Sequence, residues 1–110
     1  MSLPERIQRF VQTGAWRKEQ AKLWAAHHFP ESARATAARL ADMVVAQTGV
    51  QFEKIAPSSR FIEDLGLGDL QDVEIIMKVE KEFGVSIPSE DLERVSSISG
   101  LVAYLGERRT

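Results

Sequence analysis

The residues with the most chemical potential lie in one ten-residue stretch, Phe61-Ile62-Glu63-Asp64-Leu65-Gly66-Leu67-Gly68-Asp69-Leu70, which opens an apolar helix. A carboxylate at a helix start, such as Asp69, can accept from the four backbone N–H groups that have no partner within the helix. Such a cap is worth on the order of 1 kcal/mol, with a few tenths more from the helix dipole. Asp72, three residues on, adds charge to the same turn. Glu63 and Asp64 are adjacent carboxylates, better suited to capping or to a solvated surface than to catalysis. Gly66-Leu67-Gly68 lacks the further glycine and the preceding strand of a phosphate cradle. His27 and His28 are adjacent, so they point to different sides of a helix and miss the i, i+4 spacing of helical zinc sites. Ser, His and Asp all occur, but nothing places them together and no nucleophile elbow is present. No enzyme and no metal site are expected.

A chain of 110 residues suggests one domain with a single modest core. With 44% hydrophobic and 27% charged residues it has the composition of an ordinary globular protein. The absence of cysteine excludes a disulfide framework, thiolate metal sites and cysteine nucleophiles. No stretch approaches the roughly 20 apolar residues that span a bilayer. Met1-Ser2-Leu3-Pro4-Glu5 lacks the basic-then-apolar order of a signal peptide, so the cytoplasm is the expected location. Residues 1–33 carry five Lys/Arg against three Asp/Glu, whereas residues 34–110 carry nine against thirteen. The acidic second part opposes a nucleic-acid role, because phosphate binding needs a basic face.

The elements that must position the stretch read as helices, without the alternation of strands, and the fold class is all-α. Residues 1–33 are expected to form an extension of two short helices. Ser2 and Glu5 are spaced as a capping box with Pro4 in the first turn; Leu3, Ile7, Phe10 and Val11 follow at helical spacing, and Gly14 is the stop. A second run places Trp16, Leu23, Trp24 and His27 on one stripe, broken at Phe29-Pro30. Half of the eight aromatics lie in the first 29 residues, and aromatics bury large areas. The Trp16/Trp24 stripe therefore packs on the main bundle, or meets another chain or a second copy in a homodimer.

From about Ser32, expected as an N-cap, Ala33, Ala37, Leu40, Met43, Val44 and Gln47 describe an amphipathic helix that stops at Gly49. Residues 50–68 form a loop, long for a compact domain, whose apolar residues pin it down. A helix follows from about Asp69 to Phe83, ended by Gly84. Ser89 caps a short turn through residues 90–93, and a last helix runs over about 97–106 with Ile98, Leu101, Val102 and Leu105 on its core face. Phe61, Ile62, Leu65, Val79, Ile87 and Leu101 are expected in the interior.

Residues 34–110 resemble the acyl carrier proteins throughout and without insertion or deletion. The resemblance rests on Gly49-Val50 after the first helix of the bundle, the Phe-Ile-Glu-Asp-Leu-Gly of residues 61–66, and Leu70, Val73, Glu74, Met77, Glu80 and Phe83 in the next helix. It continues with Ile87-Pro88 before the short helix and Tyr104 in the last. It implies a four-helix bundle of three main helices and one short helix. In that family an Asp-Ser-Leu triplet opens the second bundle helix, and the serine holds phosphopantetheine through a phosphodiester. Here the triplet is Gly68-Asp69-Leu70. Aspartate cannot form that ester, so no cofactor is expected.

Two readings of Asp69 stay open: a structural cap, or a fixed charge standing where the family's phosphodiester charge would be. The resemblance also implies that the second bundle helix meets protein partners, with Asp69, Leu70, Glu74, Ile76, Met77 and Glu80 as the candidate contact residues. Val73, Ile75, Val79 and Phe83 are expected to face inward. Lys78 and Lys81 depart from the family's acidic pattern and weaken steering towards basic partners. The favoured function is an arm-free, carrier-like interaction module that binds a protein, such as a lipid- or polyketide-synthesis enzyme, through this helix, the extension, or both. The alternative is a working acyl carrier in fatty-acid, polyketide or related synthesis, loaded atypically or holding lipid non-covalently.

Overall fold

The computed structural model describes residues 4–12 and 14–108, except for the side chains of residues 10–12. The Ser2–Glu5 capping box and the packing of Leu3, Phe10 and Val11 lie outside that description. Five α-helices occupy the described residues: α1 Glu5–Gln12, α2 Ala15–His28, α3 Glu31–Thr48, α4 Asp69–Phe83 and α5 Ile98–Glu107. Two 3-10 segments, Phe52–Lys54 and Ser89–Val95, complete the described elements. There is no strand among the described residues, only one antiparallel bridge between Arg60 and Ser97. The all-α carrier-type architecture implied by the resemblance is the one observed.

α2 and α3 form a helical hairpin around Phe29-Pro30. Proline at 30 is extended and precedes the first turn of α3, so that helix starts at Glu31 and Pro30, not Ser32, is its N-cap. Along the hairpin Arg17 Nε donates to Asp42 Oδ1 at 2.6 Å. α2 buries Ala21, Trp24 and Ala25, and the indole Nε1 of Trp24 donates to the carbonyl of Ile55 at 2.8 Å. The expected single stripe is therefore split. Trp24 enters the core, whereas Trp16 is 49% exposed and Leu23 and His27 face solvent with it. At about 100° per residue, Trp16 and Trp24 lie roughly 80° apart around the helix, so one face cannot bury both.

α3, α4 and α5 enclose the main core, with Leu40, Val44, Phe61, Ile75, Val79, Ile98, Leu101 and Leu105 among its fully buried members. Gln47, expected on the apolar stripe of α3, is exposed and donates to Glu74. Residues 50–68 are packed as expected through Ile55, Phe61 and Leu67, but they contain a 3-10 turn, and Ile62 is exposed rather than interior. The loop is stitched to the start of α5. Phe61 N donates to Ser96 O, Ile98 N to Ser59 O and Ser99 N to Pro57 O. With Phe61 inward, the tight turn leaves its neighbour Ile62 on the outside.

The short helical turn is longer than expected, running to Val95, and Ser89 is its first residue after Pro88. Ser97 caps α5 by accepting from Gly100 N. The fully buried Tyr104 donates its hydroxyl to Asp91 at 2.8 Å, tying α5 to the 3-10 segment.

Candidate functional site

α4 begins where the glycine-rich turn lets it. Leu67 N returns to Phe61 O, Gly68 is extended, and Asp72 N donates to Gly68 O as the first helical bond. The N-cap is thus Gly68, and Asp69 is the first residue inside the helix, so the expectation that Asp69 caps it through its own side chain is not met. The side-chain acceptor is Gln71, whose Oε1 takes the Gly68 N–H at 3.1 Å. Asp69 keeps an exposed carboxylate at the positive end of the dipole. At the far end, Gly84 closes α4 with a φ of 65°, a conformation that a Cβ disfavours.

Asp69, half-buried Asp72 and Glu63 form an acidic group at this end. Desolvation pushes the Asp72 pKa above the ordinary carboxylate value, and the nearby charges of Asp69 and then Glu63 push it further in the same direction. Asp64 takes no part, since its carboxylate accepts from Arg60 N within the preceding turn.

Beyond the first turn, the outer face of α4 is an apolar ridge of Leu70, Val73 and Met77, which are 71%, 51% and 61% exposed. Val73 had been expected inside and Ile76 outside, and the structure reverses them, with Ile76 only 9% exposed. The inward sector of α4 is centred on Ile75, Ile76 and Val79, with half-buried Asp72 and Phe83 beside them. Val73 falls outside that sector. Of the other expected contact residues, Asp69, Leu70 and Met77 are exposed. Glu74 is exposed and already bonded to Gln47 of α3. Glu80 is half-buried, and its Oε2 accepts from Ile87 N at 2.8 Å, holding the chain after Gly84 against α4. The site that emerges is Asp69, Leu70, Val73, Glu74 and Met77. Val73 was missed because apolar side chains lie around more than half of the circumference of α4.

Residues 66–71 carry no hydroxyl side chain. Among the serines elsewhere, Ser59 is buried and accepts from Ala56 N, and the Ser97 hydroxyl is occupied as the α5 cap. Among the described residues no group of three or more His, Asp or Glu is arranged to hold a metal ion, and no helix is long and apolar enough to cross a membrane.

Comparison with known proteins places this geometry in context. A family model described as "Phosphopantetheine attachment site" matches residues 38–105. The chain is also similar to an acyl carrier protein of Chlorobium phaeobacteroides (strain DSM 266 / SMG 266 / 2430). The two are 42% identical over 64 residues, which is 58% of this chain and 82% of the relative.

Proposed function

Because this chain belongs to the acyl carrier protein family, whose members are carriers rather than enzymes, we propose that it is a carrier-fold docking protein that holds no phosphopantetheine on α4. It binds a protein partner, an enzyme of lipid or polyketide synthesis, through the Leu70–Val73–Met77 ridge and the carboxylates of Asp69 and Glu74. The observation that carries the reading is the carboxylate of Asp69, with no alcohol on the surrounding turn. A phosphodiester needs an alcohol, so the residues present at the start of α4 do not fit a covalent arm.

The charge of Asp69 serves recognition instead. It stands at the helix N-terminus, beside an apolar ridge that is more than half exposed, and exposed apolar surface rimmed by charge is typical of interaction sites. Residues 1–33 act as an extension of the carrier domain, anchored by Trp24 and leaving Trp16 and Leu23 for contact. The competing reading, a working carrier, is favoured by the description of the matched family and requires loading at a different side chain or a lipid held non-covalently. Intact-mass measurement of the protein after co-expression with a broad-specificity phosphopantetheinyl transferase tests the proposal. The unmodified mass is expected, and a gain of one phosphopantetheine would overturn it.

A further inference from the structure

The α2–α3 hairpin does more than cover the core. Where it passes α4 it leaves a trough of about 470 Å³, within the size range of small-ligand sites. Five cationic side chains line it: Arg17, Lys18 and Lys22 from α2, Arg39 from α3 and Lys78 from α4. Only two carboxylates, Asp42 and Glu82, share the lining. This is a local excess of positive charge in a chain whose net charge is −2.

The pairing within the trough is uneven. Arg17 is held by Asp42 at 2.6 Å, and Arg39 has Glu82 at 4.0 Å as a more distant, half-exposed partner. Lys22 makes a solvent-exposed contact of 3.6 Å with Glu19. Lys18 and Lys78 form no ion pair among the described residues, and they approach from opposite walls, α2 and α4. Between the walls, Ala38 and Ala46 of α3 present small apolar side chains beside the two arginine pairs, above the buried Ala21 and Met43. Small side chains make the groove, and the lysines rim it.

We propose that this trough binds an amphipathic anion, with a carboxylate or phosphate headgroup between Lys18, Lys22 and Lys78 and a short apolar tail over Ala38 and Ala46. An unpaired cation on each wall supplies the attraction, and Ala38, Ala46 and the lysine stems supply apolar area. A neutral molecule of the same shape would gain only the second. The site is formed by α2 together with the carrier-type bundle and does not rest on the reading of Asp69.

The test is a titration of the full chain with decyl phosphate, decanoate and the neutral control 1-decanol, followed by ¹H–¹⁵N correlation spectra. Saturable shifts clustered on the amides of Ala38, Ala46 and Lys78 are expected with one or both anions, and the tighter of the two identifies the headgroup. 1-Decanol should bind distinctly more weakly. The double variant Lys18→Glu/Lys78→Glu should weaken anion binding by roughly tenfold or more. Lys18→Ala/Lys78→Ala should fall between, and its spectrum serves as the folded reference should the charge reversal disturb the hairpin. Shifts that never saturate or that cluster elsewhere, equal binding of decanol, or anion affinity unchanged in both double variants would overturn the proposal.

Discussion

Asp72 is a carboxylate held at a cost to the fold. It is half-buried, and Asp69 and Glu63 add repulsion to its desolvation, so its pKa is raised. A raised carboxyl pKa means that the folded protein holds the proton more tightly than the unfolded chain does. Stability therefore falls as pH rises through the window between the ordinary carboxylate value and the raised one. Asp72→Asn removes the charge and should raise Tm at pH 7, with the gain disappearing below that window. Thermal melts at the two pH values check this, and an equal shift at both would show that the charge is not the cause. Glu80 contributes through a hydrogen bond, its carboxylate accepting from Ile87 N. Glu80→Ala leaves that half-buried donor without its partner and should cost about 1–3 kcal/mol in a denaturant titration, whereas no effect would mean that solvent replaces the carboxylate freely.

At the scale of elements, the loop over residues 50–68 is a packed part of the bundle. Phe61 is fully buried beneath it, and Phe61→Ala should cost roughly 3–5 kcal/mol, as large-to-small core changes do. A near-neutral result in chemical unfolding would mean that the loop is not held by its core contacts. The junction between the 3-10 segment and α5 is equally tight. A Cβ on Gly100 would collide with the carbonyl oxygen of Arg94, so Gly100→Ala should lose about 1–3 kcal/mol, and an unchanged Tm would contradict the geometry. The bounds of α4 were legible because Gly68 and Gly84 punctuate it at both ends. Its faces were less so. Leu70, Val73, Ile75, Ile76, Met77 and Val79 lie around most of the circumference, so apolar periodicity alone could not tell Val73 from Ile76. Packing in the core decides that choice, burying Ile75, Ile76 and Val79 and leaving Glu74 exposed beside Gln47 of α3. The role of Ser97 as a cap and the placing of Asp69 inside the helix depend on local hydrogen bonds, which spacing does not specify.

For the whole molecule, which measures 52 × 31 × 23 Å along its principal axes, the hairpin decides how the N-terminal residues relate to the rest. Trp24 joins it to the core and bonds to Ile55, while Trp16 stays half in solvent. Trp24→Ala should cost roughly 3–5 kcal/mol. Emission should contain a blue-shifted, poorly quenched component from Trp24 and a quenchable one from Trp16, both independent of protein concentration. Uniformly solvent-like emission would show that the hairpin is not docked, and a shift that grows with concentration would assign the burial to association. Aromatic content at the N-terminus announced burial, but only the helix phase shows that one tryptophan takes the core.

The central claim is that the first turn of α4 recognises but does not carry. It is tested most directly by incubating the purified protein with phosphopantetheinyl transferase and coenzyme A beside the variant Gly68→Asp/Asp69→Ser, then weighing both by intact-mass spectrometry. The account predicts no change in the wild-type chain and a gain of one phosphopantetheine in the variant, whose turn regains the alcohol. A phosphopantetheine on the wild-type chain would contradict it.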